Sequence, residues 1–426
     1  MKNNSGVRIN KDLLQNNLPL LTIDDNYSDS ATIMFLVNAG SVADDARFSG
    51  TAHFLEHMFF KGSSRYPSSK ELSFAVEMIG GLTNAFTSYE YTGYFIKVPI
   101  MNLDKALDLL ADVIFNPVFN EKDLDKEKGV IAEEIKMYRD LPQEKVRDLF
   151  NSNLFLSSPY GNNIAGTLRS IKMIDKNILH DYRQRNYGVG DTLLIISGGI
   201  DTKKSFELAN KSFGNQKFGK VKLKRNTENA PKLIKKYSIF EKFPSQQAHI
   251  IIGGLSEKRN SELEYPLKLG MGILADGFGS KLFQELREKM GIAYYLGGGF
   301  SFFKNTGKYS IRAGLSNDNL NEGIESIING INEIKSGIFT DTDLERAKNY
   351  LISSKLEEVE TSEDRAYWYG IHDIFKMRND SPEAEIIQIK NVSKDLITDA
   401  WSRIINKGNL MLATVSGKEP EFKINL

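Results

Sequence analysis

Short apolar runs and helical spacing alternate along the first third of the chain. Two short runs, Leu18 to Ile23 and Thr32 to Ala39, are separated by the polar residues 24–30, which predicts a hairpin of two strands. Residues 81–87 and 91–99 flank a short polar turn and predict a second hairpin. Paired strands are therefore expected on both sides of the intervening segment.

Helices are predicted where apolar residues recur every three to four positions. Ser68 and Glu71 have the spacing of a capping box at the start of one helix, and Gly80 ends it. Leu103 to Phe115 has one apolar side, and helix-forming residues continue from Glu121 to Tyr138. Strands and helices thus occur together, which predicts an α+β protein.

The second half of the chain repeats the first. Residues 339–348 resemble residues 119–128, and in both copies the segment follows an amphipathic helix. A lysine-rich stretch of weak periodicity, 216–236, separates the halves and is typical of a linker. We therefore predict two homologous domains, at residues 1–215 and 237–426.

Composition narrows the class of protein. The 426 residues are too many for one ordinary core, and 41% apolar and 26% charged residues indicate a globular protein. Zero net charge gives no reason to expect nucleic acid or an anionic membrane as a partner. No apolar run is long enough to span a bilayer, and the amino terminus lacks a signal-peptide core, so we expect a cytoplasmic protein. The absence of cysteine excludes disulfides and thiolate catalysis.

The candidate chemistry lies in the sequence His53-Phe54-Leu55-Glu56-His57. Two histidines four residues apart share one face of a helix, and Glu56 precedes the second histidine, as in the H-x-x-E-H motif of inverted zinc hydrolases. Neutral imidazoles suit Zn²⁺, and a catalytic zinc needs a third protein ligand and an open position. A chance pentapeptide is a weak alternative, because the chain has only five histidines.

The third ligand is expected to be a carboxylate on the helix that begins near residue 121. Glu127 and Glu134 are the candidates, because Ala347 and Ser354 replace them in the repeat. They are seven residues apart, about two turns, and so share a face. We assign Glu134 as the ligand and Glu127 as a supporting carboxylate, and we expect Glu133 to be solvated.

Glu56 is expected to act as the general base. It lies too close to His53 and His57 on one helical turn to bind the same ion comfortably, but it can reach a water at that ion. Zinc lowers the pKa of such a water toward about 7. The predicted reaction is metal-assisted hydrolysis of a peptide bond.

The chain resembles the pitrilysin (insulinase) family, in particular its mitochondrial processing peptidase-like branch. Three motifs carry the resemblance, in this order along the chain: residues 53–57, 127–138 and 286–294. The similarity covers nearly the whole chain. It implies two α+β domains, each a mainly antiparallel sheet with helices packed on it, enclosing a chamber for peptides. It also implies one Zn²⁺ per chain, held by His53, His57 and Glu134.

The resemblance implies further roles for residues outside the zinc motif. Arg287 and Tyr294 would reach the substrate, with the tyrosine hydroxyl steadying the oxyanion. Without the resemblance they are a surface cation and a strand aromatic. The edge of strand 82–87 would pair with the peptide. Its substrate-binding residues would be Asn84, Ala85 and Phe86. An ordinary buried strand is the alternative for Phe86.

The expected function is a zinc endopeptidase that cuts short or unfolded peptides. A processing peptidase with a single target and a non-catalytic scaffold are the alternatives. In paired members of the family, the zinc motif and the Arg/Tyr pair lie on different chains, whereas this chain carries both. This favours an active homodimer in which Arg287 and Tyr294 of one subunit serve the zinc of the other. Met290 stands where the family usually has a basic residue, which would alter subsite preference only.

Overall fold

A computed structural model describes residues 6–156, 158–219 and 237–421. Residues 220–236, most of the predicted linker, lie outside the described residues. The chain forms two compact units, each made of three segments. The first unit comprises Met1–Ile135, Asn163–Asn226 and Glu358–Asp380. The second comprises Lys136–Asn162, Thr227–Glu357 and Ser381–Leu426.

Both halves of the chain contain strands and helices. The strands are β1 (Arg8–Leu13), β2 (Pro19–Asp24), β3 (Ser30–Val37), β4 (Leu82–Thr87), β5 (Thr92–Pro99), β6 (Thr192–Gly198), β7 (Ser238–Lys242), β8 (Gln247–Ser256), β9 (Ala293–Phe302), β10 (Gly307–Ser316) and β11 (Met411–Ser416). The helices are α1 (Thr51–Phe59), α2 (Ser69–Met78), α3 (Leu103–Phe115), α4 (Glu121–Asp140), α5 (Pro142–Leu154), α6 (Ser170–Met173), α7 (Lys176–Asn186), α8 (Thr202–Phe213), α9 (Glu264–Leu274), α10 (Leu320–Lys335), α11 (Asp341–Glu357), α12 (Ser362–Ile374), α13 (Pro382–Lys390) and α14 (Lys394–Ile404). Within the described ranges, no helix combines the length and the hydrophobicity needed to cross a membrane.

The first unit contains a six-stranded sheet in the order β1-β2-β6-β3-β5-β4. The predicted strands at 18–23 and 32–39 are present as β2 and β3, but the predicted hairpin between them is wrong, because β6 lies between them. Every residue of β6 is buried, and a strand that is apolar on both faces is stable only inside a sheet. The second predicted hairpin is confirmed, since β4 pairs antiparallel with β5.

The second unit contains a five-stranded sheet with the same connectivity. Its order is β7-β11-β8-β10-β9, so β7 to β11 correspond to β2, β3, β4, β5 and β6 in the order in which the chain reaches them. Among the described strands of each sheet, the one parallel pair joins the first and the last of these five strands. The predicted pair of homologous α+β domains, each a mainly antiparallel sheet with helices packed on it, is confirmed.

Two equivalent helices are exchanged between the halves of the chain. Helices α5 and α12 begin at residues 142 and 362, the same spacing that separates the repeated motifs, and both follow the long helix of their own half. Helix α12 packs on β2, β3 and β6, whereas α5 packs on β8 and β11. The predicted domain boundaries, 1–215 and 237–426, keep each of these two helices with its own half of the chain. They therefore do not account for the exchange.

Apolar side chains fix α12 on the first sheet. Ala366, Trp368 and Tyr369 are buried against a layer that includes Leu36 and Ile195 of the sheet. The opposite face of the sheet carries the larger core, which receives α1, α3 and α8. An amphipathic helix has the same apolar stripe whichever sheet covers it, so its sequence does not indicate its partner.

A buried ion pair joins α12 to the chain just after β2. The Arg365 guanidinium meets the Asp25 carboxylate, and the two side chains are 4% and 0% exposed. Arg365 also donates to the backbone carbonyls of Val359 and Glu360, at 3.1 and 2.9 Å. Burial opposes ionisation of Asp25, but hydrogen bonds from Ser28 and the charge of Arg365 outweigh it and lower the pKa of the carboxyl.

We predict that Arg365→Met destabilises the first unit by about 3–5 kcal/mol, because it leaves a buried carboxylate without its cation. Lys11→Met is the matched control: Lys11 pairs with Asp373 of the same helix, but its side chain is 68% exposed, and its loss should cost less than about 1 kcal/mol. Hydrogen exchange of the β6 amides, followed in urea by mass spectrometry, measures both. Equal effects of the two substitutions would contradict the prediction.

Candidate active site

Helix α1 presents the two histidines on one face. It begins after Gly50, which has a φ of 96° and lies close to the Ala165 carbonyl. Both features require glycine at this position. The Asp44 carboxylate accepts hydrogen bonds from the backbone N–H groups of Gly50 and Ala52, at 2.7 and 3.0 Å. These contacts satisfy free amides of the first turn and fix the start of the helix on which His53 lies.

Helix α4 brings the third candidate ligand to the histidines. Its buried side is formed by Leu124, Glu127, Ile131 and Ile135, which recur at helical spacing. Glu134, next to this side, is about one-quarter exposed. Glu133 is exposed, as predicted for a solvated helix residue.

Three donor atoms converge between α1 and α4. Glu134 Oε2 lies 3.9 Å from His53 Nε2 and 3.8 Å from His57 Nε2. Ligands of a tetrahedral zinc ion, each about 2.0–2.2 Å from the metal, lie roughly 3.4 Å from one another. The observed separations need only a small inward movement to reach this value. Two imidazoles and a carboxylate are also a ligand set that zinc uses in hydrolases, so the residues present fit the metal.

His57 is oriented by a buried carboxylate. Glu127 is 2% exposed, and its Oε2 lies 3.1 Å from His57 Nδ1. A hydrogen bond from Nδ1 leaves the lone pair on Nε2 free to bind a metal ion. Burial opposes ionisation of Glu127, but the hydrogen bonds from His57 and Lys61 outweigh it and lower the pKa of its carboxyl.

Lys61 is a member of the site that the sequence analysis missed. Its ammonium lies 2.7 Å from Glu127 Oε1, so one carboxylate joins a histidine and a lysine from the same segment of chain. No spacing rule singled out Lys61, because it lies two residues beyond the end of α1 and its partner Glu127 comes from α4.

His53 is poised to bind a metal ion in its neutral form. Burial, and to a smaller extent the neighbouring His57, lowers the pKa of His53 to about 4. The two imidazole rings have centroids 4.6 Å apart. Within the described residues, the buried Nδ1 of His53 has no hydrogen-bond partner.

Glu56 lies beside the donor cluster and is held by the next strand. The Thr87 hydroxyl, at the end of β4, donates a hydrogen bond to Glu56 Oε2. Burial raises the pKa of the Glu56 carboxyl, and the bond from Thr87 limits the rise. Thr87 is the last residue of the predicted strand 82–87 but was not among its predicted substrate-binding residues.

Strand β4 is the edge of the first sheet and pairs only with β5 among the described strands. Successive side chains point to opposite faces. Ala85 therefore packs with the core under α1, whereas Phe86 packs on the other face. There the ring centroids of Phe86 and Tyr367 are 5.4 Å apart. Asn84 is exposed. The backbone edge is thus available to an extended peptide, while the Phe86 side chain is directed away from α1.

Arg287 and Tyr294 lie together in the second unit. Arg287 belongs to the π-helical segment Phe283–Lys289 and donates a hydrogen bond to the backbone carbonyl of Tyr294. Tyr294 is 55% exposed, at the start of β9. Their predicted roles toward the substrate remain predictions.

Sequence comparisons match most of the chain to one family. The model described as Insulinase (Peptidase family M16) matches residues 20–168, and the model described as Peptidase M16 inactive domain matches residues 174–351. An uncharacterized zinc protease of Bacillus subtilis is 29% identical over 403 residues, which cover 92% of this chain and 94% of that protein. An uncharacterized zinc protease of Rickettsia felis is 30% identical over 393 residues, with the same coverage of 92% and 94%.

Solved structures show the same fold. A protease from Helicobacter pylori superposes with a TM-score of 0.88 at 20% identity and covers 96% of this chain and 99% of its own. A peptidase M16 inactive domain from Pseudomonas fluorescens gives 0.88 at 18% identity, covering 98% and 100%. Placement in the processing peptidase-like branch remains a prediction. The two family models together match most of the chain, and the relatives are named zinc proteases. The cluster of His53, His57 and Glu134 agrees with those names. This chain therefore belongs to the insulinase family, peptidase family M16.

Proposed function

We propose that the chain is a zinc-dependent endopeptidase that hydrolyses short or unfolded peptides in an enclosed chamber. The observation that carries the proposal is the convergence of His53, His57 and Glu134 within 4.8 Å of one another, with Glu56 beside them. One zinc ion bound there would lower the pKa of a water molecule and polarise the scissile carbonyl.

The remaining steps use the chain's own residues. Glu127 and Lys61 hold His57 in the tautomer that leaves Nε2 unprotonated. Thr87 occupies Oε2 of Glu56, which leaves Oε1 to take the proton of the attacking water and to pass it to the leaving amine. The β4 edge at Asn84, Ala85 and Phe86 aligns the peptide by main-chain hydrogen bonds.

Arg287 and Tyr294 complete the proposal as substrate-contacting residues. A phenolic hydroxyl aimed at the developing oxyanion stabilises the transition state more than the ground state. The exposure of Tyr294 leaves its side chain accessible to a peptide. We propose that two chains form a homodimer in which these residues act on the partner's zinc centre.

The ligand assignment predicts that Glu134→Gln weakens zinc binding by more than about 100-fold, because it removes an anionic ligand, a larger change than loss of a supporting residue. Glu133→Gln is the matched control: it changes the neighbouring, exposed carboxylate in the same way and should leave affinity unchanged. Competition with a chromogenic chelator measures both. Weaker binding by the Glu133 variant instead would show that the ligand is wrongly assigned.

The general-base role predicts that Glu56→Gln keeps zinc and lowers kcat about 10²–10⁴-fold on a quenched peptide. Thr87→Val should lower kcat about tenfold with little change in KM, because it removes a hydrogen bond to a charged group. Thr87→Ser retains the hydroxyl and is the control, with near-normal kcat expected. Full activity of the Glu56 variant would exclude this carboxylate as the base, and equal loss in both Thr87 variants would assign a packing role.

Site sharing between subunits predicts complementation. A mixture of Glu56→Gln and Arg287→Ala subunits, each inactive alone, should regain up to about one-quarter of wild-type activity, since random pairing makes half of the dimers hybrid and each hybrid has one intact site. Peptide turnover after exchange of subunits measures the recovery. A mixture no more active than its components would place both residues of each site within one chain.

A further inference from the structure

The second unit contains a polar cavity that the proposed mechanism does not use. It has a volume of about 520 Å³ and opens between α5 and the strands β9 and β10. Helix α5 covers β8 and β11 but leaves this part of the sheet face open. The volume lies within the range of small-ligand pockets.

Strand register places cations over small residues in this cavity. Lys308, Ser310 and Arg312 alternate along β10 with side chains that are buried in the core, so these three share the outer face. Their partners on β9 are Ser301, Gly299 and Gly297. A Cβ at Gly297 would lie 3.6 Å from Arg312 Nε, so the glycine leaves the space beside the guanidinium free.

Positive charge in the cavity exceeds negative charge. Three cations, Arg147, Lys308 and Arg312, line it together with one carboxylate, Glu144. Arg147 forms a salt bridge with Glu144. Neither Lys308 nor Arg312 forms a salt bridge with any described residue, and Lys308 donates to Asn151 Oδ1 at 2.8 Å.

The half-buried Lys308 is held without a counter-ion among the described residues. Burial, and secondarily the charge of Arg147, lowers the pKa of Lys308 to about 8. An anion that entered the cavity would favour the ammonium form and would offset part of this cost. The amide of Asn151 fixes the ammonium in place before any ligand arrives.

The corresponding face of the first sheet shows that the fold does not require cations here. Next to α12, the positions on β4 and β5 are occupied by Phe86 and Phe95, which pack with an apolar layer of the sheet and helix. Tyr367 of α12 contacts Phe86 there. The same architecture therefore has an aromatic filling in one unit and a cationic cavity in the other.

We propose that this carboxylate pocket, lined by Arg147, Asn151, Lys308, Ser310 and Arg312, binds a carboxylate group of a peptide. Guanidinium and ammonium groups form charge-assisted hydrogen bonds with carboxylates, and the Ser310 hydroxyl adds a neutral donor. That the ligand is a peptide rests on the proposed function. The carboxylate comes from the peptide's carboxyl terminus or from an aspartate or glutamate side chain.

The test measures equilibrium binding of peptides to zinc-loaded Glu56→Gln protein, which does not cut them. Four decapeptides with a neutral amino-terminal fluorophore carry internal glutamates or glutamines and end in a carboxylate or an amide. The pocket predicts tighter binding of carboxylate-bearing peptides, and Arg312→Gln should weaken that binding about tenfold while leaving the fully neutral peptide unaffected. Loss on amidation alone assigns the terminal carboxylate, and loss on glutamine replacement alone assigns the side chain.

Arg403→Gln is the matched control, since it removes a cation of the same unit that lies outside the pocket and should leave binding unchanged. Lys308→Met, checked by circular dichroism, should act in the same direction as Arg312→Gln. Equal affinity for all four peptides would contradict the proposed carboxylate pocket. Equal weakening of peptide binding by Arg312→Gln and Arg403→Gln would contradict it as well. If the wild-type protein binds peptides in a charge-dependent way but cleaves none, the proposed function is refuted and the carboxylate pocket is supported. If it cleaves peptides but binds them without dependence on charge, only the carboxylate pocket is refuted.

Discussion

The candidate active site depends on one buried carboxylate that joins two helices far apart in the sequence. Glu127 of α4 contacts both His57 and Lys61, which lie on and just after α1. A buried carboxylate is stable only when its charge is compensated, so these contacts fix the distance and the rotation between the helices. Glu134 lies two turns further along the same helix, and its position beside the imidazoles follows from that alignment. The candidate metal ligands are therefore arranged by a carboxylate outside the donor cluster.

The internal duplication separates this chemistry from the scaffold. Both units form the same five-stranded arrangement. Among the described residues, the cluster of His53, His57 and Glu134 lies in the first unit, and the cationic cavity described above lies beside the sheet of the second. Strand pairing and apolar faces maintain the shared architecture, whereas the polar residues on each copy are free to diverge. One fold thus carries a candidate active site in one unit and a candidate binding pocket in the other.

Local patterns predicted much of the fold and the centre of the site. The spacing of His53, Glu56 and His57 is fixed by helix geometry. The contrast between Glu134 and Ser354 in the repeat singled out the carboxylate that the fold places beside the histidines. Long-range pairing was not predictable in this way: β6, which separates β2 from β3, comes about 155 residues after β3. Lys61 and Thr87 were missed for the same reason, because a lysine and a strand threonine acquire roles only through partners supplied by distant segments.

The exchange of α5 and α12 has a consequence for synthesis on the ribosome. The face of the first sheet that includes Leu36 and Ile195 is covered by a helix that ends at Ile374. During translation that apolar face therefore remains exposed until most of the second half of the chain has emerged from the exit tunnel. Transiently exposed apolar surface is prone to aggregation, so the nascent amino-terminal half is expected to need chaperone protection for longer than its own length would suggest.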